Sequence, residues 1–269
     1  MLYQFEHFAK VPGVTHAVST RAGGTSREPY QGLNLGLHVG DNERDVLENR
    51  RLLSGALGIE PESWVSAEQV HRVNVAVVDD THRGIAVTGN SGVVPETDAM
   101  VAARTSGKRI TLAVCSADCP LVVLIHRDGE ALGVAHTSWR TTVGGIVGKT
   151  VKLMCEKFGV NASDILAGIS PSIGPQCYRV GQDVYEVARV AATRCDRFMT
   201  EVNQNDGYEG RAWLLDLWRA NTAQLVEAGM REENVVAAGI CNHCHTEEFF
   251  SYRAEGPTTG RYGLVVSFK

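Results

Sequence analysis

Three residues of this chain have side chains that bind transition metals: His71, Cys119 and His136. Two imidazoles and one thiolate suit Zn²⁺, and three protein ligands leave a fourth coordination position open for water or substrate. That arrangement is typical of catalytic zinc, which lowers the pKa of a coordinated water and polarises substrate atoms. The three residues are too widely spaced for a zinc-finger signature, so spacing alone does not establish the site.

Asp118 directly precedes one of these ligands. A carboxylate there is suited to orienting water or to acid–base catalysis, but it is equally typical of a turn residue that binds the backbone. In a different interpretation, Cys119 is a nucleophile that His136 activates, as in cysteine hydrolases. Metal occupancy separates the two, because a zinc-bound thiolate is a poor nucleophile. The predicted catalytic residues are therefore Asp118, Cys119 and His136.

Clusters of β-branched and apolar residues predict a sheet-rich protein in which strands and helices alternate loosely. The predicted strands are Thr15–Ser19, Val73–Val78, Ala99–Ala103, Ile110–Val114, Leu121–Ile125, Ala131–His136, Ile165–Ile169, Val235–Ala238 and Gly263–Phe268. The predicted helices are Glu43–Leu57, Val143–Phe158, Val184–Arg194 and Trp213–Ala228. Cys119 and His136 lie at strand ends, where a sheet holds ligands rigidly. A polar interval, Glu201–Arg211, is predicted to be a loop. No repeat or linker divides the chain, which predicts one domain over residues 1–269.

Composition limits the partners of this protein. The chain has 269 residues, 43% of them hydrophobic, and a formal net charge of -5, which disfavours nucleic acid as a ligand. We find no apolar run of membrane-spanning length and no signal-peptide pattern, so we expect a cytoplasmic protein that binds neither nucleic acid nor membrane. Seven scattered cysteines indicate free thiols in a reducing compartment.

Several strings along nearly the whole chain resemble those of the YfiH family, also called the laccase-domain or multicopper polyphenol oxidase family. The strings are Val18-Ser19-Thr20-Arg21-Ala22-Gly23-Gly24-Thr25-Ser26, Leu33-Asn34-Leu35-Gly36, Gln69-Val70-His71, Ser116-Ala117-Asp118-Cys119-Pro120, Ala135-His136-Thr137-Ser138-Trp139-Arg140, Ser172-Ile173-Gly174-Pro175, Phe250-Ser251-Tyr252-Arg253 and Thr258-Thr259-Gly260-Arg261. The resemblance implies an α/β fold with four layers, α/β/β/α, and mixed sheets, similar to cytotoxic necrotizing factor toxins. The metal residues of the family fall on His71, Cys119 and His136.

The resemblance also implies a function: a zinc-dependent purine nucleoside phosphorylase that uses phosphate, with possible adenosine deaminase and methylthioadenosine phosphorylase activities. Two alternatives attached to the family stay open. One is a copper-dependent polyphenol oxidase, since copper accepts the same three ligands. The other is a peptidoglycan-precursor editing factor, which would act on a nucleotide-linked muropeptide. Each alternative gives a different product.

Substrate contacts are predicted mainly at arginines. Arg21 lies in a glycine-rich turn, where backbone amides and a guanidinium are suited to an oxyanion, although a salt-bridged loop residue fits equally well. Arg140, Arg253 and Arg261 are further candidates for phosphate or ribose, and Asn34 belongs to another family string. Candidates for stacking on a purine are the aromatic residues Tyr178, Tyr252, Phe249 and Phe250, although such residues are more often part of the core.

The segment Cys241-Asn242-His243-Cys244-His245 contains a His-Cys-His triplet that resembles a blue-copper ligand string. A true multicopper oxidase is not expected, because 243/245 is the only His-x-His pair among nine histidines. The same segment is also compatible with a redox Cys-x-x-Cys or a second zinc site, for which no matching ligand pair lies nearby in the sequence.

Two stretches depart from the family pattern. Ser138 and Thr141 replace glycines beside Trp139, which predicts a narrower or reshaped substrate pocket if those glycines allow close approach of the backbone. Gln176-Cys177 replaces a frequent Cys-Cys pair, so Cys177 is either a pocket thiol or an ordinary buried one.

Overall fold

The computed structural model describes residues 2–84, 93–202 and 211–269. The strands are β1 (Leu2–Tyr3), β2 (Val14–Ser19), β3 (Trp64–Ser66), β4 (Val75–Val77), β5 (Ala99–Ala103), β6 (Thr111–Ser116), β7 (Leu121–His126), β8 (Ala131–His136), β9 (Ile165–Ile169), β10 (Arg179–Gly181), β11 (Met199–Val202), β12 (Ala212–Leu215), β13 (Val235–Ala237) and β14 (Tyr262–Phe268). The α-helices are α1 (Glu43–Leu57), α2 (Trp139–Val143), α3 (Ile146–Phe158), α4 (Gln182–Val190), α5 (Leu217–Glu227) and α6 (Tyr252–Glu255).

Two mixed sheets form the centre of the molecule. The first has the strand order β1-β2-β14-β6-β3, and only its β3–β6 pair is parallel. The second has the order β13-β9-β7-β8-β5-β4, with parallel pairs at both edges and antiparallel strands between them. A third, antiparallel sheet joins β10, β12 and β11.

The main core lies between the two large sheets. Buried Val114 and Leu264 of the first sheet belong to the same apolar cluster as Val123 and Val134 of the second. Each fully buried aliphatic side chain stabilises the fold by about 1.5–3 kcal/mol. The two sheets therefore form the inner layers of the molecule.

Helices cover the outer faces of both sheets. Leu53 of α1 packs with Val265 on the first sheet, while Val147 of α3 and Leu225 of α5 pack with Val122 on the second. The four layers are thus α/β/β/α, and the fold class implied by the resemblance is confirmed. No helix in the described ranges combines the length and apolarity that a bilayer crossing requires.

Strong local signals placed several elements correctly. Helix α1 matches its predicted bounds, because Asn42 accepts a hydrogen bond from Arg44 N at 2.9 Å and Gly58 ends the helix at φ 63°. Strands β5, β8 and β9 also match at both ends. Strands β2, β4, β6, β7, β13 and β14 agree to within two residues at each end.

Other boundaries were wrong. The helix predicted over Val143–Phe158 begins only at Ile146, because Gly145 adopts φ 78° and separates α3 from α2. The helix predicted over Trp213–Ala228 starts with strand β12, and α5 begins after Asp216, whose side chain accepts a hydrogen bond from Arg219 N. Helix α4 spans Gln182–Val190 instead of Val184–Arg194.

The predicted loop Glu201–Arg211 also needs correction at its start. Glu201 belongs to β11, and its carboxylate binds the Arg211 guanidinium through two hydrogen bonds of 2.7 and 2.8 Å. Residues 203–210 lie outside the described residues. The sequence patterns thus missed the third sheet, whose strands have three or four residues each.

Candidate metal centre and substrate cavity

The fold brings His71, Cys119 and His136 together, with their ligand atoms all within 4.8 Å of one another. Cys119 precedes β7, and His136 ends β8, where it lies opposite Leu121 in the antiparallel register. His71 follows β3 in a loop and adopts φ 60°, which is uncommon for a residue with a side chain. Three distant segments therefore meet at one end of the central strands β7 and β8 of the second sheet.

The trio fits a zinc ion. With bonds of about 2.0–2.3 Å, the ligands of tetrahedral zinc lie roughly 3.3–3.8 Å apart, so the observed spread needs only small side-chain adjustments. The two imidazoles already approach each other, with ring centroids 5.0 Å apart. Two nitrogens and one sulfur are also a donor set that zinc accepts, and three ligands leave one position for a substrate atom.

Asp98 supports this arrangement, although the sequence analysis does not predict it as a site residue. Its carboxylate accepts hydrogen bonds from the backbone N–H groups of Val70, His71 and Arg72 at 2.9–3.1 Å, and from His136 Nδ1 at 2.9 Å. The side chain is fully buried. The available signal was an acidic residue at the start of the apolar strand Ala99–Ala103, where a charge persists only if it is well paired. One carboxylate thus orients two of the three ligands.

The electrostatics of the trio favour a thiolate. Burial alone would raise the pKa of the Cys119 thiol, but hydrogen bonds from His136 and His71 outweigh it and lower the pKa to about 7. Burial also opposes the His136 imidazolium, yet its hydrogen bonds to Asp98 and Cys119 raise the pKa of His136 to about 9. Burial likewise opposes ionised Asp98, but the hydrogen bond from His136 and those from the backbone lower its pKa. These shifts favour a thiolate–imidazolium pair between a pH of about 7 and about 9 when no metal is bound.

Asp118 lies beside this trio and has a structural task. Its Oδ1 accepts a hydrogen bond from Ser251 Oγ at 2.6 Å, and its Oδ2 accepts one from Arg253 N at 2.7 Å. These contacts tie helix α6 to the metal loop and favour the turn-residue alternative. Burial raises the pKa of Asp118 despite these hydrogen bonds. A catalytic role for this carboxyl stays a prediction.

The trio lies at the wall of a cavity of about 560 Å³. The cavity is lined by residues from all the metal-binding segments and by arginines and tyrosines: His38, Gln69, His71, Cys115, Ser116, Ala117, Asp118, Cys119, His136, Arg140, Ile173, Tyr178, Tyr252, Arg253 and Arg261. Its volume falls within the roughly 300–1,000 Å³ range of small-molecule sites.

Three predicted substrate arginines line this cavity: Arg140, Arg253 and Arg261. Among the residues that the structure describes, none of the three forms an ion pair. Arg140 stacks on Trp139 with its guanidinium carbon 4.4 Å from the ring centroid. Arg253 lies over the Tyr178 ring at 5.3 Å, and Arg261 donates hydrogen bonds to backbone carbonyls. The cavity therefore carries positive charge that its own carboxylates do not neutralise.

The structure does not bring Arg21 and Asn34 to the cavity lining. Arg21 forms a 2.7 Å ion pair with Glu255, as in the salt-bridge alternative, and packs on the Phe250 ring. Asn34 is fully buried, and its Oδ1 accepts hydrogen bonds from the backbone N–H groups of Gly36 and Arg261. Both residues shape the frame around Arg261 and α6, and a direct substrate contact is not supported by this geometry.

The aromatic candidates divide in two. Phe249 and Phe250 are buried in the core between the sheets, as the structural alternative predicted. Tyr178 and Tyr252 line the cavity, and Tyr252 is half exposed. Only the two tyrosines are placed where a purine could stack on them.

The residues that replace family glycines point away from the cavity. Ser138 is the N-cap of α2, and its Oγ accepts a hydrogen bond from Thr141 N at 3.3 Å. Thr141 is fully buried, and its Oγ1 donates to the His136 carbonyl at 3.0 Å. These side chains therefore stabilise the start of α2. Neither lines the cavity, so the structure does not support the expectation that they narrow the pocket.

Comparison with known proteins gives the family. The model of the family described as multi-copper polyphenol oxidoreductase laccase matches residues 15–269. The chain belongs to this family. The resemblance to the YfiH family is thereby confirmed, since a relative and a solved structure also carry the name YfiH.

Curated relatives extend over most of the chain. It is 34% identical to the protein named purine nucleoside phosphorylase YlmD of Geobacillus stearothermophilus, over 93% of this chain and 88% of that protein. It is also 34% identical to adenosine deaminase RL5 of an unknown prokaryotic organism, over 94% of both chains. Purine nucleoside phosphorylase YfiH of Escherichia coli is 33% identical over 94% of this chain and 93% of its own. These names confirm the prediction of an enzyme related to this group.

Solved structures agree with the fold. The crystal structure of the hypothetical protein YfiH of Bacillus licheniformis matches with a TM-score of 0.91 and 29% identity, covering 100% of this chain and 96% of that one. YlmD of Geobacillus stearothermophilus matches with a TM-score of 0.85 and 32% identity, covering 97% and 93%.

The family description mentions several coppers, but the histidines are not arranged for a multicopper centre. Within the described ranges, no candidate group of metal ligands contains more than two imidazoles. The His-x-His residues His243 and His245 fall into two different groups. This distribution agrees with the expectation against a multicopper oxidase.

Proposed function

We propose that this protein is a zinc-dependent purine nucleoside phosphorylase. The observation that carries the proposal is the open metal-ligand trio at the wall of a cavity whose three arginines form no direct ion pair among the described residues. The relatives named purine nucleoside phosphorylase support the same reaction class. Nothing in this proposal depends on Arg21 or Asn34.

The arginines are assigned to phosphate. Guanidinium groups bind phosphate oxygens in pairs, and such charge-assisted hydrogen bonds are about twice as strong as neutral ones. Arg140 is the best placed of the three, because it is exposed, follows the ligand His136 in sequence and makes no described hydrogen bond through its guanidinium. Arg253 and Arg261 provide further positive charge from the opposite segments of the cavity wall.

The tyrosines are assigned to the nucleoside. Tyr178 and Tyr252 offer ring faces or edges to a purine, and the half-exposed position of Tyr252 allows entry from solvent. In the reaction, a phosphate oxygen bonds to C1′ of the ribose while the bond from C1′ to the purine nitrogen breaks. The purine nitrogen then takes up a proton, and the products are free base and ribose 1-phosphate.

The residues of the chain would divide this work. Zinc, when bound by His71, Cys119 and His136, supplies Lewis-acid polarisation of a substrate oxygen or nitrogen. Asp98 keeps His136 and the His71 loop in place. Asp118 has a raised pKa and is the nearest candidate to hold or deliver a proton, provided that its hydrogen bonds to Ser251 and Arg253 allow it.

Adenosine deamination is a second candidate activity of the same cavity. It is favoured by the relative named adenosine deaminase and by the buried carboxyl of Asp118 next to a metal ligand. Here water replaces the amino group at C6, and ammonia leaves. Methylthioadenosine is a further substrate to test, because its base is that of adenosine and its sugar differs only at C5′, away from the C1′–nitrogen bond that breaks.

The test is product analysis on protein with a measured zinc content. Adenosine, inosine and methylthioadenosine are incubated with and without phosphate, using wild type and His71→Ala. We expect phosphate-dependent release of free base and sugar 1-phosphate, which is 5-methylthioribose 1-phosphate from methylthioadenosine and ribose 1-phosphate from the other two. The rate should fall by roughly 10³-fold or more in the variant, because several kcal/mol of charge stabilisation are lost. His82→Ala is the matched control, because His82 is a half-buried histidine outside the cavity lining.

Other products would redirect the assignment. Inosine formed from adenosine without phosphate would establish the deaminase. Absence of base release, with oxidation of a phenol by copper-loaded protein or with a changed muropeptide precursor, would reject the phosphorylase in favour of the oxidase or the editing factor. Activity that persists without metal but needs Cys119 would indicate the cysteine hydrolase.

A further inference from the structure

A second cluster of soft metal ligands lies outside the cavity lining. It joins Cys177, from the loop between β9 and β10, to His243 and Cys244, from the segment after β13. Ligand atoms of these three residues all lie within 4.8 Å of one another, and the Cys177 and Cys244 sulfurs are 3.4 Å apart. The sequence shows no further ligand close to the Cys-x-x-Cys segment, but the fold brings Cys177 to it from a distant loop.

Cys241 completes the cluster. Its sulfur contacts the sulfurs of both Cys177 and Cys244. A parallel bridge between Ser172 and Cys241 aligns the two segments that carry these residues, and Cys241 lies beside the compact group of Cys177, His243 and Cys244. Cys177 and His243 are half-buried and Cys244 is exposed, so an ion can reach the cluster from solvent.

The backbone around Cys241 is arranged to receive a thiolate. The Gly174 N–H donates to Cys241 Sγ at 3.1 Å, and the backbone of Cys244 makes a second hydrogen bond to the same sulfur. A Cβ at position 174 would lie 3.2 Å from this sulfur and 3.1 Å from the Cys241 Cβ, so glycine permits the approach. Metal ligands are commonly oriented by such hydrogen bonds from neighbouring groups that do not bind the metal themselves.

We propose that Cys177, Cys241, Cys244 and His243 form a second metal site, a closed tetrahedral zinc site with three sulfurs and one nitrogen. Cys₃His is one of the donor sets of structural zinc, and two ligands from a Cys-x-x-Cys segment are typical of such sites. A disulfide between Cys177 and Cys244 would use only two of the four side chains, whereas a metal uses all four. Four protein ligands leave no open position, so this site is assigned to structure.

The site would clamp one wall of the substrate cavity. Cys177 is adjacent to Tyr178, and the same loop carries Ile173, whose N–H donates to the Asp118 carbonyl at 2.8 Å. The second zinc would therefore hold the loop that presents Tyr178, without contact with the reacting atoms. Loss of this zinc should affect substrate binding more than turnover.

The test is a zinc count on reduced, zinc-saturated and desalted protein, which is independent of any nucleoside activity. We expect about two zinc ions per chain in wild type, about one in His71→Ala, about one in Cys177→Ser/Cys244→Ser and about two in the control Cys155→Ser. A wild-type count of one that falls to zero in His71→Ala would overturn the proposal. So would a count of two that survives the double serine substitution.

A spectroscopic measurement guards against misfolded variants. Cobalt is added to the His71→Ala protein, whose circular dichroism is first compared with that of wild type. We expect the d–d bands of tetrahedral cobalt with a strong thiolate charge-transfer band, and loss of both when Cys177→Ser/Cys244→Ser is added. Octahedral cobalt spectra, or alkylation showing a Cys177–Cys244 disulfide in freshly reduced and metal-exposed protein, would contradict a metal site.

Discussion

The two ligand clusters differ in how they are held before any metal arrives. His71, Cys119 and His136 are supported by the buried carboxylate of Asp98, which fixes one ligand ring and one ligand loop. The second cluster, built from Cys177, Cys241, His243 and Cys244, has hydrogen bonds from backbone N–H groups to one sulfur and lies nearer to solvent. Both contain soft donors, but the first lies at the wall of the 560 Å³ cavity, whereas the second is not among the residues that line that cavity.

The difference separates two uses of a metal. A trio with an open position and a carboxylate behind it suits chemistry, because the ligand geometry is fixed while a substrate atom can bind. A closed set of four suits structure, because binding energy is then available to hold two loops together. Ligand count, anchoring and access therefore distinguish the two more clearly than ligand type.

The largest expected effect comes from Asp98→Asn. The amide replaces one oxygen by a donor that faces backbone N–H groups or His136, so the substitution removes both a charge and an acceptor. We expect a loss of about 3–5 kcal/mol in the free energy of unfolding, as for other broken buried pairs, and a 10–100-fold weaker metal affinity at the trio. Urea unfolding and chelator competition measure these changes.

Asp118→Asn is the matched control for Asp98→Asn, because its carboxylate is also buried at the cavity but is hydrogen-bonded to Ser251, Arg253 and Asn242, none of which is a ligand of the trio. It should leave the zinc count unchanged. Equal zinc loss in both variants would contradict the special role assigned to Asp98, and loss from the second cluster as well would erase the comparison.

His16 is expected to make the free energy of unfolding sensitive to acid independently of metal binding. This imidazole is 8% exposed, accepts a hydrogen bond from Phe5 N at 2.8 Å, and has a pKa lowered to about 4 by burial and by His7. Because the folded pKa lies below the unfolded value, its contribution is complete above pH 6.5 and is lost as the pH falls toward 4. At pH 5 the loss is roughly 2 kcal/mol.

The measurement is urea unfolding of metal-free protein at pH 7.5 and pH 5, with His16→Gln beside wild type. The glutamine keeps an acceptor but does not titrate, so we expect the difference between the two pH values to shrink by about 2 kcal/mol in the variant. An unchanged difference would mean that acid sensitivity arises elsewhere.

Arg140→Ala should weaken phosphate binding. Loss of one charge-assisted hydrogen bond at an exposed position predicts an increase of about tenfold in the KM for phosphate, with little change in the KM for the nucleoside. Steady-state kinetics with each substrate varied in turn gives both values. Arg44→Ala, an exposed arginine on α1, is the control. Equal increases in both KM values would remove Arg140 from the phosphate site.

The smallest expected effect concerns the glycine replacements. Thr141→Gly restores a family residue but adds glycine to a helix and removes a hydrogen bond to His136 O, so we expect about 1 kcal/mol lower stability. Substrate KM values should change less than about twofold, since Thr141 is fully buried within α2 and does not line the cavity. Thermal unfolding and kinetics check both, and a large KM change would restore the idea of a reshaped pocket.

Local patterns predicted the parts of the fold that depend on local chemistry. Helix α1 has a capping Asn42 and a terminal Gly58, and apolar strands such as β8 are readable from composition. The apolar spacing predicts a helix that includes most of β12, because the residues of β12 continue the spacing of α5. Only contact with β10 and β11 makes it a strand, and such contacts are absent from a single sequence.

The same limit applied to the sites. Family strings placed His71, Cys119 and His136 together, and the arginines at positions 140, 253 and 261 reached the same cavity. Asp98 lies outside the strings that resemble the family. Its role depends on hydrogen bonds to residues 26–28 positions earlier and 38 positions later in the chain. Cys177 likewise joins Cys244 across 67 positions.

The Asp98 contacts also bear on when the protein acquires its metal. Classical zinc fingers cannot fold without the ion, so their synthesis and metal supply must coincide. Here one internal carboxylate replaces the ion as the organiser of the His71 loop and the end of β8. We therefore expect folding and loading of the trio to be separate events, and under the proposed zinc dependence a cell short of metal would accumulate a folded, inactive reserve that becomes active once metal returns.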